Sequence, residues 1–229
     1  MSIQTHLDPT QEPSATQRAY LAIRRMIVIG ELPPGEKLKI ETLRTILDMG
    51  GSPIREALTL LVSDLLVERL DQRGFRTAAI SPENFSEILK LRCQLEEMAL
   101  RDSILLADQP WEDQLVISHH RMMREQRSNI ERFEALHKAF HMNLLSACNS
   151  PVLLKFCNQL YDLNIRYRYL AGKALNYSKR DISKEHTDIM NAAVDRDAET
   201  ASRLLLDHYR NTGAFLEKHF STESTLIRN

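Results

Sequence analysis

Four of the eight histidines raise the first chemical question. The stretch LHKAFHMNLL places His137 and His141 four residues apart, a spacing that stacks both imidazoles on one helix face. Such a pair can clamp a metal, respond to pH as a unit, or be an accident of a solvated face. His186, in EHTDIMNAAVDRDAETA, and His208, in DHYRNT, lie on later helical segments, and all four could converge in a bundle core. Imidazoles suit zinc, nickel and related divalent ions, and each needs an outer hydrogen bond to fix its tautomer. Metal-dependent hydrolysis or elimination would also need an open position and a placed general base. No H-E-x-x-H occurs. Glu134 and Glu185 flank the histidines, but no helical face is expected to present them beside a metal as a base must be, and Glu185 directly precedes His186 and so points about 100° away. A metal-dependent enzyme is therefore the remote alternative, and the expectation is no enzyme. His6, His119, His120 and His219 fit no ligand pattern and are read as surface residues.

The surroundings must be mostly helix. Of 229 residues 43% are hydrophobic, 27% are charged and only seven are glycine. That composition suits a globular protein and argues against glycine-rich phosphate loops and a turn-heavy β fold. No apolar run reaches about 18 residues, so no membrane helix is expected. The opening MSIQTHLDPTQEPSATQ lacks the apolar core of a secretory signal. The odd, scattered set Cys93, Cys148 and Cys157 suggests buried thiols in a reducing cytoplasm. Net charge is −1. Residues 14–79 hold ten Lys/Arg against eight Asp/Glu, an excess of two, which signals a polyanion partner only if the positions are right.

The first eighty residues supply such positions. Ser14 caps a helix to about Ile29, with Ala19, Ile23, Met26 and Ile27 on one face. LPPGEKL is a turn, and a short helix spans about Glu41 to Leu47. After the Gly50–Gly51 break, Ser52 is expected to cap the next helix with Pro53 at its first position. Ile54, Ala57, Leu58, Leu61 and Leu65 make that helix's apolar stripe. Two helices about a glycine turn form a helix-turn-helix, and LLVERLDQRGFRTAAI adds a hairpin turning near Asp71 to Gly74. Ser52 and Arg55 open the second helix, where base edges and phosphates are met; Arg73 and Arg76 sit on the hairpin.

PPGEKL, SPIREAL and RGF, at these spacings, resemble the winged helix-turn-helix of the GntR family of bacterial transcription regulators. The resemblance covers about fifty residues. It implies DNA contact by Arg44, Ser52, Arg55, Arg73 and Gly74. The chain departs from the family by carrying Gly51 where an arginine usually precedes the Ser/Thr of the recognition helix. The second helix opens as KIETLR, with Arg44 its nearest arginine.

The remainder reads as six helices with short connections, an antiparallel bundle. The first runs from a cap at Ser81 to about Leu106, with Phe85, Ile88, Leu91, Leu95, Met98 and Ala99 inward. The others span about Trp111–Gln126, Ile130–Cys148, Pro151–Ala174, Lys179–Arg196 and Ala198–Phe220. LRCQLEEMAL, HKAFHMNLL, EHTDIMNAAVDRDAETA and DHYRNT, in this order, resemble the all-helical FCD effector domain of the family's FadR branch. That resemblance implies metal ligation by His141, His186 and His208, with His137 where the family usually has Asp. Four neutral ligands would leave a divalent ion at +2 and favour an anion in any open position. Arg92 is placed by the resemblance at the cavity as a fork for an effector carboxylate, or else pairs with Glu96 or Glu97 on the surface. Tyr167 and Arg168, in NIRYRYLAG, line the cavity or belong to a solvated face.

The expectation is thus a mainly α chain. Residues 1–13 are a disordered lead-in, 14–79 a winged helix-turn-helix, 80–222 a six-or-seven-helix metal- and ligand-binding bundle, and 223–229 a tail. Its implied partners are double-stranded operator DNA, a small carboxylate effector such as a dicarboxylate, hydroxy acid or sugar acid, a second copy in a homodimer, and no membrane. Its role would be a cytoplasmic regulator, by default a repressor. The competing reading is a DNA-binding module whose bundle only dimerises and holds no metal.

Overall fold

The computed structural model describes residues 12–71, 73–126, 129–170 and 180–226, the last ten by backbone alone. Most of the lead-in, the end of the tail, His6, His219 and the stretch from 171 to 179, where the fourth bundle helix was expected to end and the fifth to begin, lie outside the described residues or side chains. The chain forms two compact units, one ending at Ala79 and one beginning at Ile80.

In the first unit α1 (Ala15–Val28) starts where Ser14 accepts from the Gln17 N–H. It buries Ala19, Ile23, Met26 and Ile27 against α3 (Gly51–Ser63). Between them α2 (Ile40–Leu47) ends at Asp48 in the left-handed region, φ 49°. Gly50 then takes extended geometry as the N-cap of α3. Ser52 is therefore not the cap: it stands inside the first turn with its hydroxyl 3.3 Å from Glu56 Oε1. Pro53 fits there because the first four helical N–H groups have no intrahelical partner. α3 buries Ile54, Ala57, Leu58 and Leu61. Leu65, expected on that stripe, has φ 62° and is 62% exposed, because the helix has already ended and Leu66 takes the buried place.

Strands β2 (Val67–Leu70) and β3 (Gly74–Thr77) make the hairpin, and a third strand, β1 (Lys37–Leu38), pairs with β3 in the order β1-β3-β2. Two residues are too few to show alternation. What closes β1 onto β3 is backbone: Gly35, at φ +74°, donates to the Thr77 carbonyl, and Thr77 donates to Glu36.

The second unit contains α4 (Pro82–Leu106), α5 (Gln109–Arg124), α6 (Ile130–Leu145), α7 (Pro151–Leu170), α8 (Ile182–Val194) and α9 (Ala198–Leu226). Ser81 caps α4 by accepting from Asn84 N–H, and α4 packs on α6, α7 and α9. Leu100, Leu115, Phe140, Leu144, Ile189 and Leu205 lie in its core. The face α4 turns inward differs from the hydropathy expectation. Phe85, Ile88 and Ala99 are buried as expected, whereas Leu91 and Met98 are 40% and 47% exposed, and Arg92 and Glu96 are buried. Apolar periodicity assigns charges outward, but a buried pair satisfies itself by mutual hydrogen bonding. His119 also departs from the surface reading: it is half-buried, 3.2 Å from Thr187 Oγ1 and against the Phe140 ring. Cys148 and Cys157 are buried free thiols and Cys93 is half-buried. Among the described residues no helix is long and apolar enough to cross a membrane.

Candidate functional site

α6 presents His137 and His141 one turn apart, α8 presents His186 and α9 presents His208. All four are buried, and one ligating atom from each falls within 4.8 Å of all the others. Nε2 of His137 lies 3.2 Å from Nε2 of His141 and 3.2 Å from Nε2 of His186. Neighbouring nitrogens at about 2.0–2.1 Å from a shared ion are about 2.8–3.0 Å apart in octahedral and about 3.3–3.4 Å apart in tetrahedral geometry. The spacing and the donor set therefore fit a divalent cation.

Outer hydrogen bonds complete the arrangement. His137 Nδ1 is 2.5 Å from the Tyr161 hydroxyl, His141 Nδ1 is 2.9 Å from that of Tyr209, and His208 Nδ1 is 2.7 Å from Glu185 Oε2. In each case Nδ1 is engaged on the outside and Nε2 is left to face the cluster. Burial, with mutual repulsion of the imidazolium forms and nearby arginines, pushes His137 and His141 well below the ordinary histidine pKa. Burial also lowers His208, partly opposed by Glu185. Burial alone would raise Glu185; its bonds to His208 and Arg180 outweigh that and hold it down to about 2. Neutral imidazoles are the ligating form. Glu185 thus does reach the cluster, through His208 on the next helix; its position beside His186 in sequence concealed this.

Three arginines surround the histidines, and each is matched by a carboxylate. Arg92 Nε is 2.5 Å from Glu96 Oε1, Arg168 is 2.9 Å from Glu134, and Arg180 forks onto both oxygens of Glu185. The alternatives for Arg92 prove not to exclude each other: it pairs with Glu96 at i+4, yet both are buried and Arg92 faces the cavity. Its guanidinium lies between the Tyr161 and Tyr209 rings, 4.7 and 4.1 Å from their centroids, and donates to Asn164 Oδ1 at 3.0 Å. Its remaining terminal nitrogen is buried without a hydrogen-bond partner.

The cavity beside the cluster is lined by Leu89, Arg92, His137, Arg168, His208 and Gly213, among others. It offers about 20 Å³ to the centre of a water molecule, room for a water or two and not for an organic acid without rearrangement. Tyr167, expected beside Arg168, lies elsewhere: its hydroxyl is 2.7 Å from Asn84 Oδ1 and 3.3 Å from the Ser81 carbonyl, at the start of α4. Gly213 lets α9 approach α4 closely, since a Cβ there would fall 2.2 Å from Leu89 Cδ2.

In the first unit the expected DNA-contacting residues share exposure. Arg55, on the first turns of α3, and Arg73, before Gly74 at φ +94°, are exposed, and neither side chain has a hydrogen bond or ion pair among the described residues. Arg69 on β2 has the same character and was not singled out from sequence. Arg44 pairs with Glu41 at 2.8 Å, and its stem passes over Gly51, where a Cβ would lie 3.7 Å from Arg44 Cδ. Arg76 is held by Glu68 at 2.6 Å.

A small winged head with unpaired cations on its recognition helix and wing, followed by a helical unit built around a histidine cluster, defines a DNA-binding regulator. Comparison with known proteins agrees. Residues 15–76 match the gntR family of bacterial regulatory proteins, and residues 87–211 match the FCD domain. The chain is 34% identical over 206 residues to the uncharacterized HTH-type transcriptional regulator BphR of Paraburkholderia xenovorans, covering 87% of this chain and 84% of that one. It is 28% identical over 197 residues to the HTH-type transcriptional repressor GlaR of Escherichia coli, covering 82% and 90%. Among solved structures it resembles E. coli McbR/YncC, at a TM-score of 0.79 and 22% identity over 90% of this chain and 99% of that one.

The chain belongs to the GntR family, in the branch that carries an FCD domain. It is a transcription regulator and not an enzyme.

Proposed function

We propose that this regulator is a metal-dependent sensor of small carboxylates. His137, His141, His186 and His208 hold one divalent ion, zinc or nickel. The effector places one carboxylate at the ion and engages Arg92, with Arg168 on the same wall. The observation that carries this is the charge balance of the site. Every neighbouring arginine already faces a carboxylate and all four ligands are neutral imidazoles, so a bound cation leaves its +2 for an incoming anion. The unpartnered Arg92 nitrogen supplies a directed donor for the same anion. The small present cavity means that the ligand selects a more open arrangement of the bundle, and only this differential affinity can change DNA binding. By reciprocity DNA and effector then alter each other's affinity by the same factor. Repression relieved by the effector is the proposed sign, in line with the repressor name of GlaR.

The working form is a homodimer, which matches two heads to a two-fold operator. The outer face of α4 supports this: Leu91, Met98 and Leu105 repeat every seven residues and are 40%, 47% and 82% exposed, and the adjacent α7 also exposes Val152 and Phe156. The stripe is symmetric about Met98. An antiparallel second copy sets Leu91 against Leu105 and Met98 against itself, the self-complementarity a two-fold interface requires.

The test is elemental analysis of the untagged full chain, then thermal melts with chelator and with a panel of dicarboxylates, hydroxy acids and sugar acids. About one divalent ion per chain is expected. Chelation should lower Tm, and at least one acid should raise Tm only while metal is present. His186→Ala should abolish stoichiometric metal. A metal-free wild-type chain indifferent to chelator would leave the bundle as a dimerising element only.

A further inference from the structure

Behind His141 stands a pair of hydrogen bonds that ligation alone does not require. The Tyr209 hydroxyl donates its one proton to Glu96 Oε2. It has none left for His141, whose Nδ1 lies 2.9 Å from the same oxygen. His141 Nδ1 is therefore the donor, and Nε2 presents its lone pair toward His137 Nε2 at 3.2 Å. Glu96 is fixed in turn, since its other oxygen accepts from Arg92 Nε and the residue is 1% exposed. The Tyr209 ring also forms one side of the Arg92 guanidinium's slot. A single side chain thus touches a metal-ligand candidate, the buried carboxylate and the arginine of the cavity wall.

We propose that Tyr209, anchored by Glu96, is a positioning residue that locks His141 in its Nδ1–H tautomer and thereby sets the affinity of the histidine cluster for a divalent cation. The inference rests on the metal-sensing reading above. It gives Glu96 a role beyond neutralising Arg92: its second oxygen orients the hydroxyl that orients the histidine. Without that hydroxyl, His141 Nδ1 faces no acceptor, the imidazole can take the other tautomer or turn, and one ligand is no longer preorganised.

The experiment uses the full chain and zinc ion alone, with affinity read by competition against a chromophoric chelator. Tyr209→Phe keeps the ring over Arg92 and removes only the hydroxyl. It should weaken zinc binding by about 10–100-fold and alter the visible spectrum of the cobalt-substituted protein. Glu96→Gln should weaken it less, because an amide oxygen can still accept from either Tyr209 or Arg92. Tyr167→Phe is the control for general damage. That tyrosine is also buried, but its hydroxyl serves Asn84 and Ser81, so its loss should cost stability and leave zinc affinity and the cobalt spectrum unchanged. Wild-type affinity in Tyr209→Phe, or an equal affinity loss in Tyr167→Phe, would overturn the proposal. If Tyr209→Phe does not fold, unchanged affinity in Glu96→Gln overturns it. A wild-type chain that takes up no zinc would remove the sensing reading and this inference together, an outcome distinct from tight binding that ignores Tyr209.

Discussion

The two units use the same side chain, arginine, in opposite ways. In the winged head Arg55, Arg69 and Arg73 are exposed and have no side-chain partner among the described residues. In the helical unit Arg92, Arg168 and Arg180 are mostly withdrawn from water, and each is neutralised by its own glutamate. The outer surface of α4 carries the apolar stripe of Leu91, Met98 and Leu105. A head that must bind a polyanion gains from cations whose only competing partner is water, since neutralising phosphates releases counterions. A cavity with the proposed role of answering one small anion gains from the reverse. If the surrounding charges cancel, the ion and the one spare donor decide what binds, and every electrostatic difference counts for more away from water. The net charge of −1 averages over both strategies and reveals neither.

The apolar side of this contrast gives the largest expected effect. Met98→Glu puts two carboxylates face to face at the centre of the proposed two-fold stripe. The variant should run as a monomer in size-exclusion chromatography with light scattering. Its operator affinity should fall by about 100-fold or more, because both half-sites no longer bind as one event. Metal content should not change, since Met98 points away from the histidines. A Met98→Glu dimer of wild-type stability would place the two-fold contact elsewhere and leave the apolar stripe unexplained.

The charged side comes next. Arg55→Ala should weaken operator binding by about 1–3 kcal/mol, or roughly 5–150-fold, if the guanidinium reads a base; if it holds a phosphate instead, binding falls about equally on all sequences and the salt slope drops by about one. Titrations on operator and random duplex at several salt concentrations separate the two. Unchanged affinity for both duplexes would mean that exposure and lack of a partner do not mark the contact residues of this head, and the comparison of the two units would lose its functional meaning.

How far the contrast was legible in sequence depended on which force fixed each position. Helix limits were legible where a cap or a proline writes them, as at Ser14, Ser81 and Pro151. The winged head and the four-histidine set were legible because their spacing is local or matched a family pattern. The inner face of α4 was not, because Arg92 and Glu96 are buried by pairing with each other and with Asn164 and Tyr209 of other helices, partners that hydropathy periodicity cannot see. The same blindness turned Leu91 and Met98 inward when they belong outside. β1 was missed because its two residues are placed by backbone bonds from Gly35 and Thr77. The links from Glu185 to His208 and from Tyr209 to Glu96 join residues 23 and 113 positions apart. No local pattern records such pairs; only the helix packing does.

A last prediction separates the two units by pH. The head meets its partner through arginines, whose guanidinium stays charged throughout the physiological range. The histidines of the helical unit do respond. His137, His141 and His208 have folded pKa values pushed below the ordinary histidine value of 6.5. The unfolded chain therefore binds protons, as pH falls through about 6.5, that the folded chain refuses. Stability is fully present above that pH and declines below it, by up to about 1.4 kcal/mol per pH unit for each histidine while it stays neutral in the folded state. Bound metal should follow the same direction more steeply, because the protons then compete for the ligating nitrogens. Denaturant unfolding of the full chain in chelator at pH 7.5 and 5.5 should show the lower midpoint at 5.5, with the difference reduced in His141→Gln. Operator affinity of the surviving folded fraction should change far less. A midpoint independent of pH would mean that the histidines become charged inside the bundle, and the charge balance on which the proposed sensing role rests would have to be redrawn.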